Sequence, residues 1–245
     1  MIEYTYYGDL LGIGKYYRLN KDVARDKLSG FYNNAFHYFK QLCYDRRARV
    51  EMYSDSIVIT GDDVFDALEI MNDLYIDCLK DGLFLRGAVV KGKLRYESRF
   101  TIDDFDKRLP VEDMLARAVG LEKLYKGSRL IVENELARDI FSNRPEWLTH
   151  EGYYKNPRCN SREEEILRKV CPTPDNEHYE MLYYWSLQPG AQWSKEEFEF
   201  IKNYLKKVMV MYSDELKLHY RETIELIRRC EHRYNDLGIS ASRTG

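Results

Sequence analysis

The chain has 245 residues, 44% hydrophobic and 32% charged, which is an ordinary globular mixture and not the apolar-poor composition of a disordered chain. A formal net charge of -3 and a pI of about 6.0 argue against a dedicated nucleic-acid binder. No apolar run approaches the roughly 18 residues of a membrane span, and the N-terminus MIEYTYYGD lacks the pattern of a secretory signal. The five cysteines (Cys43, Cys78, Cys159, Cys171, Cys230) are widely spaced and never form a C-x-x-C pair. They predict reduced thiols in a cytoplasmic protein.

In chain order, Ile2 to Tyr7 carries the β-branched and aromatic residues of a strand. Gly8-Asp9-Leu10-Leu11-Gly12-Ile13-Gly14 follows, glycine-rich enough to predict tight backbone geometry. Val23, Leu28, Phe31, Ala35, Tyr38, Phe39 and Leu42 recur at helical spacing between Asp22 and Cys43. After a basic loop (Arg46, Arg47, Arg49), Val50–Tyr53 and Ile57–Thr60 flank the turn triplet Ser54-Asp55-Ser56, predicting a hairpin with an aspartate at its tip. Val64–Leu79 reads as a helix, Leu83–Leu94 as a strand, Glu112–Lys126 as a helix and Arg129–Val132 as a strand. The order βαββαβ, with a further αβ, predicts an α+β, ferredoxin-like core.

Phe141 to Pro174 loses periodicity, predicting loops and short helices, and Glu180–Leu187 returns to strand composition. Gln188-Pro189-Gly190 breaks the chain. Lys195 to Asn235 then runs without Gly or Pro, with Phe198, Ile201, Leu205, Val208, Tyr212, Leu216, His219, Ile227 and Cys230 on one stripe. The expected organisation is a catalytic-sized unit over residues 1–190 and a long helical extension over 191–245. The extension either folds back on the sheet or pairs with a second chain, and a symmetric homodimer is preferred.

Asp9 and Asp55 are the chemically distinctive pair. One falls at a strand end and the other at the tip of the next hairpin, where the βαββαβ order brings the two strands close. Two neighbouring carboxylates repel unless a cation lies between them, and oxygen donors favour Mg²⁺ or Mn²⁺. Such a pair typically holds two ions against triphosphate oxygens, and the backbone N–H groups of Gly12, Ile13 and Gly14 are placed to face phosphate. The competing reading is an aspartate that merely bonds its own turn. Spacing alone leaves both open.

Four blocks occur in one order: Tyr7-Gly8-Asp9-Leu10-Leu11-Gly12-Ile13, Tyr53-Ser54-Asp55-Ser56-Ile57-Val58-Ile59, Leu85-Arg86-Gly87-Ala88-Val89-Val90-Lys91-Gly92 and Ala116-Arg117-Ala118-Val119-Gly120-Leu121-Glu122. Together they resemble the class III nucleotide cyclase domain, and more narrowly the bacterial pyrimidine cyclases of the Pycsar antiphage systems. The resemblance implies that Asp9, Asp55 and the backbone carbonyl of Leu10 hold two Mn²⁺ or Mg²⁺ ions. It implies a ribonucleoside triphosphate cyclised to a 3′,5′-cyclic nucleotide and pyrophosphate in head-to-tail homodimers with sites at the interface. In the pyrimidine branch, UTP or CTP would give a second messenger read by a separate effector. Neither a nucleic acid nor a membrane is implied as partner.

The sequence departs from that pattern in three places. Ile13 replaces the usual phenylalanine. Glu51 stands where purine cyclases place a base-reading lysine, with Tyr53 on the same strand face, which favours a pyrimidine read by Tyr53. Ala116 and Gly120 stand at the places of the transition-state Asn and Arg, leaving Arg117 as the nearest guanidinium, either covering developing charge or acting as a surface ion-pair partner. UTP is the expected substrate, with CTP, a purine cyclase with an unusual pocket, or a catalytically silent dimeric module as alternatives. A primer-extending palm domain is disfavoured by the lack of a basic track.

The remaining features mean less. The five histidines show no zinc spacing, and Asp103, Asp104 and Asp106 lack the glycine and glutamate of a calcium loop. The 21 tyrosines largely follow amphipathic faces.

Overall fold

The computed structural model describes residues 1–97, 108–143, 167–170, 178–181, 195–210 and 214–236. Its centre is β1 (Tyr4–Leu10), bonded on both edges: to β3 (Ser56–Gly61) on one side and β4 (Leu85–Lys91) on the other, antiparallel to each. β2 (Ala48–Tyr53) pairs outside β3, and β5 (Leu130–Val132) runs parallel beside β4. A hairpin of β6 (Leu167–Val170) and β7 (His178–Met181) extends the sheet to the order β2-β3-β1-β4-β5-β7-β6. The α+β, ferredoxin-like arrangement is the one the sequence predicts.

Strand alternation divides the sheet into two chemically different faces. Tyr4, Tyr6 and Leu10 of β1, with Ile57, Ile59, Leu85 and Val89, enter the main core beneath α2 (Lys21–Tyr44) and α3 (Val64–Lys80). Asn20 caps α2 by accepting from the Asp22 and Val23 N–H groups at 3.0 and 3.2 Å, and Asp63 caps α3 by accepting from Phe65 N–H at 3.1 Å. The opposite face carries Tyr7, Ala88, Val90 and Ile131 under α4 (Met114–Leu124), packed through Met114, Ala118 and Leu121. Asp9 belongs to this second face by its spacing from Tyr7.

β1 runs three residues past Tyr7, to Leu10, so Asp9 lies inside a strand and not in the turn beyond it. Its extension depends on two glycines. Gly8 faces Gly87 across the β1–β4 pair, and the fully buried Tyr6 ring lies over both. A Cβ at Gly87 would stand 2.5 Å from that ring, and one at Gly8 would stand 2.1 Å from its hydroxyl. The Tyr6 hydroxyl lies 2.9 Å from that of Tyr75, which donates to the Arg129 carbonyl at 3.2 Å.

The structure adds or corrects several elements. The glycine segment opens a short helix, α1 (Ile13–Leu19), and α5 (Asn134–Asn143) buries Leu136, Ala137 and Ile140. β6 forms inside the stretch expected to be loops and short helices. β7 overlaps the expected strand at Glu180 and Met181, while residues 182–187, Gln188-Pro189-Gly190 and Asp103 to Asp106 lie outside the described residues.

The C-terminal run is two helices, α6 (Lys195–Val210) and α7 (Asp214–Asp236), packed on each other. Phe198, Ile201, Leu205, Val208, His219 and Ile227 of the apolar stripe are buried in the same chain. These six residues therefore fold back onto the protomer, with Leu216 partly buried against the same core, while Tyr212 and the Cys230 side chain lie outside the described residues. Tyr204 and Tyr220 hold Phe84 with ring centroids at 5.9 and 5.6 Å, next to the start of β4. α7 also binds the turn before β5: Gly127 N–H donates to His219 Nδ1 at 3.2 Å and Ser128 N–H to Thr223 Oγ1 at 2.8 Å. Among the described residues no helix is long and apolar enough to cross a membrane.

Gly87→Ala should lower unfolding stability by about 1–3 kcal/mol in denaturant titration, because the ring it meets has no free space to enter. Burial holds the His219 imidazole at about pKa 4, below its usual 6.5, with Arg86 and Lys126 adding to the depression. The unfolded chain therefore binds the extra proton first, so this group's stabilisation is complete above pH 6.5 and declines toward pH 4. His219→Asn, which keeps an acceptor for Gly127, should flatten that acid loss when stability is followed between those pH values.

Candidate active site

Asp9 sits near the C-terminal end of β1, with Ser56 as its partner on β3 and Arg86 as its partner on β4. Asp55 immediately precedes Ser56 at the hairpin tip, where Ser54 takes a positive φ of 55°. The Leu10 N–H donates to the Asp55 carbonyl at 2.9 Å, locking the strand end to the tip. The two aspartates thus occupy neighbouring positions at one end of the sheet, both half-buried. They were anticipated from sequence as a pair, and the backbone brings them together.

The structure also shows what the sequence reading omitted. Arg86 forks onto Asp9, with Nε at 2.7 Å from Oδ1 and Nη2 at 3.2 Å from Oδ2. The same Nε lies 2.6 Å from Oε1 of Glu122 on α4, whose side chain is only 2% exposed. Two carboxylates therefore share one guanidinium on the α4 face of the sheet. Burial first, and then the Asp9 charge, push the Glu122 carboxyl up to about 7, with Arg86 pulling the other way. Burial alone would lower the Arg86 pKa, but the Asp9 hydrogen bond and the two negative charges outweigh it and raise it. Both residues were visible in the sequence as ionisable positions within apolar runs, Leu85-Arg86-Gly87-Ala88 and Val119-Gly120-Leu121-Glu122. A charge at a buried position implies a buried partner.

Gly12 has φ 83°, and its carbonyl accepts from the Lys15 and Tyr16 N–H groups as α1 begins. No side chain caps α1. The Ile13 side chain is 3% exposed and joins the main core, so what Ile13 can offer a ligand is backbone. Leu10 is likewise buried.

Tyr53 is 54% exposed on β2 and belongs to a polar cluster around Glu51. The Glu51 carboxylate meets Arg49 Nη2 at 2.5 Å and Arg108 Nη1 at 2.6 Å, and it accepts from Tyr96 hydroxyl at 2.9 Å. Arg108 also donates to the Tyr53 hydroxyl at 2.9 Å, and that hydroxyl donates to Glu51 at 3.4 Å. Burial and the Glu51 acceptor push the Tyr96 phenol up to about 12. Tyr53 is thus oriented by charged neighbours while its ring stays open to solvent. The groove of about 410 Å³ lined by Phe36, Phe39, Cys43, Val50 and Met52 contains none of these site residues.

Arg117 is held elsewhere. Its Nη2 donates to the Lys91 carbonyl at 2.6 Å, and its Nε lies 3.3 Å from Glu133 Oε1. Lys91 pairs with Tyr4, whereas Arg86 pairs with Asp9. From residue 86 to 91 is five strand residues, roughly 17 Å at about 3.4 Å each. Within one protomer Arg117 and the aspartates stand at opposite ends of β4.

Asp9 and Asp55 supply hard oxygen donors of the type that suits Mg²⁺ or Mn²⁺, with phosphate and water oxygens left to fill the remaining positions. No group of three or more His, Cys, Asp or Glu side chains placed for a metal occurs among the described residues. Two protein carboxylates with a polyanionic substrate are nevertheless a sufficient donor set for ions of this kind, and the residues fit.

No family model matches the sequence, and no curated protein matches it. Solved structures do. The adenylyl cyclase CyaB from P. aeruginosa superposes with a TM-score of 0.50 at 12% identity, covering 73% of this chain and 92% of that one. A guanylate cyclase domain of RhGC from Catenaria anguillulae, in complex with GTP, gives 0.51 at 11% identity over 73% and 94%. An adenylate cyclase from Trypanosoma brucei gives 0.52 at 8% identity over 78% and 91%. The chain has the fold of a class III nucleotide cyclase domain.

Removing Asp9 and removing Arg86 should have unequal effects. Asp9→Ala leaves Arg86 paired with Glu122, so stability in thermal unfolding should change little. Arg86→Ala removes the cation that faces buried Glu122 and should cost about 3 kcal/mol in the same measurement, because Glu122 must then either stay charged without a guanidinium or take up a proton.

Proposed function

We propose that this protein is a metal-dependent nucleotide cyclase that converts UTP to 3′,5′-cyclic UMP and pyrophosphate, a second messenger for antiphage defence read by a separate effector. The observation that carries the reading is the placement of Asp9 and Asp55 at one end of a cyclase-fold sheet, tied by the Leu10–Asp55 backbone bond. One of the similar structures, the RhGC domain, is described in complex with GTP, which supports a nucleoside triphosphate as substrate class here.

Asp9, Asp55 and the Leu10 carbonyl would hold two Mn²⁺ or Mg²⁺ ions. When bound, these supply charge neutralisation for the triphosphate and a lowered pKa for the 3′-hydroxyl. The chain's own contribution is positional. The left-handed Gly12 turns the chain into α1, leaving uncapped N–H groups at Ile13 and Gly14 for phosphate oxygens. The 3′-hydroxyl gives up its proton to solvent water, its oxygen attacks the α-phosphorus in line, and the ring closes as the bond from that phosphorus to the bridging oxygen breaks and pyrophosphate leaves. Tyr53 presents an exposed ring, aligned by Arg108, against which the base stacks. Glu51 is already bonded to Arg49, Arg108 and Tyr96, which leaves it poorly disposed to replace the lysine of purine sites.

Arg117 reaches the reaction only from a second subunit. A head-to-tail homodimer with sites at the interface would bring Arg117 of the partner subunit toward the developing phosphate charge. CTP in place of UTP is the nearest alternative substrate. A catalytically silent dimeric module is favoured by one observation, the Arg86 fork that occupies Asp9.

Purified protein incubated with Mn²⁺ and each of ATP, GTP, CTP and UTP should yield cyclic UMP as the dominant product by mass spectrometry. Asp55→Ala should abolish it, and Tyr53→Ala should change base preference more than turnover. Cyclic AMP or cyclic GMP as the main product would refute the pyrimidine assignment, and no cyclic product from any triphosphate would favour the silent module.

A further inference from the structure

We propose that Arg86 is a displaceable counter-ion of the metal site: it neutralises Asp9 while no cation is bound and retires onto Glu122 when one arrives. The inference rests on the reading of Asp9 as a metal ligand and adds a positioning role for two residues outside the ligand set.

The geometry points to exchange because Arg86 Nε gives its single N–H to Asp9 while standing in ionic contact with Glu122, whose buried Oε1 is left without a hydrogen-bond donor. Arg86 Nε is 2.7 Å from Asp9 and 2.6 Å from Glu122, while Nη2 completes the fork on Asp9 at 3.2 Å. The fork fills one lone-pair position on each Asp9 oxygen, and a divalent cation taking the positions that remain would stand close enough to the guanidinium for the two positive charges to repel. Arg86 can give up Asp9 without becoming an unpaired buried charge, because Glu122 already lies in contact. Glu122, at 2% side-chain exposure, has no solvent alternative to Arg86. The pieces sit on separate elements, β1, β4 and α4, so the fold holds the second carboxylate still while the fork changes hands. α6 and α7 fix the neighbouring Phe84, so the backbone of β4 at this end is braced from the other face.

The consequence is a metal affinity governed by how well Glu122 competes for Arg86. Glu122→Gln keeps the shape and a hydrogen-bond acceptor but removes the charge, so Arg86 then leans on Asp9 alone. The test counts Mn²⁺ binding to the full chain without nucleotide, by electron paramagnetic resonance of the free ion. Circular dichroism on each variant confirms the fold. Glu122→Gln should weaken Mn²⁺ binding roughly tenfold, within the range seen when partners of metal-binding groups are removed. The double variant Arg86→Gln/Glu122→Gln, which lacks both the competitor and its holder, should bind at least as tightly as the parent. A merely structural role for Glu122 would not produce that rescue.

Parent-like Mn²⁺ affinity in Glu122→Gln, or a double variant as weak as the single one, would overturn the exchange. Asp9→Asn, measured beside them, separates the two levels of the argument. Loss of Mn²⁺ binding there supports the ligand assignment. Parent-like binding in Asp9→Asn would instead remove the metal reading, and the exchange with it.

Discussion

The constraint on which the site depends is the double pairing of β1. A strand bonded on both edges cannot slip in register without breaking two ladders, and its period of two then fixes which residues go to which face. Tyr4, Tyr6 and Leu10 go into the main core, and Asp9 goes to the face that α4 shares. The Gly8–Gly87 pair keeps the strands in contact beneath the Tyr6 ring, so the register persists as far as Asp9. The Leu10–Asp55 bond then closes the end against the hairpin. A carboxylate pair that looks like a local motif is thus held by long-range sheet geometry.

Charge on the α4 face follows a consistent rule. Four buried or half-buried carboxylates there have a guanidinium: Asp9 and Glu122 share Arg86, Glu133 has Arg117, and Glu51 has Arg49 and Arg108. Such pairs contribute little net stability when complete, but removing one member leaves an uncompensated charge. The polar face is therefore held in a definite arrangement while keeping groups able to exchange partners. The opposite face, built from aromatic and aliphatic packing under α2, α3, α6 and α7, supplies the rigidity.

Much of this was legible in the sequence. Strands β1 to β5 and the two capped helices follow from alternation, helical spacing and turn residues, because each signal is local, whereas the nearness of Asp9 and Asp55 follows only once the order of those elements is taken into account. Arg86 and Glu122 lay inside blocks already singled out, yet their roles were missed because the contact joins two elements far apart in sequence. The two-helix form of the C-terminus was hidden by the absence of Gly and Pro between Lys195 and Asn235. Ser213-Asp214-Glu215 does carry the residue types favoured at a helix start. The distance of Arg117 from Asp9 could not be read from spacing, since it depends on β4 running antiparallel to β1. Short elements such as α1 and β6 have too few residues for periodicity to declare them.

The central claim is that Asp9 and Asp55 together hold the ions that activate a triphosphate. A crystal structure of the protein with Mn²⁺ and 3′-deoxy-UTP, which lacks the attacking hydroxyl, tests it directly through manganese anomalous scattering. The account predicts Mn²⁺ peaks at the Asp9 and Asp55 carboxylates, with the triphosphate beside Gly12 and Ile13. Triphosphate bound with no manganese at either aspartate, or manganese bound elsewhere, would contradict it.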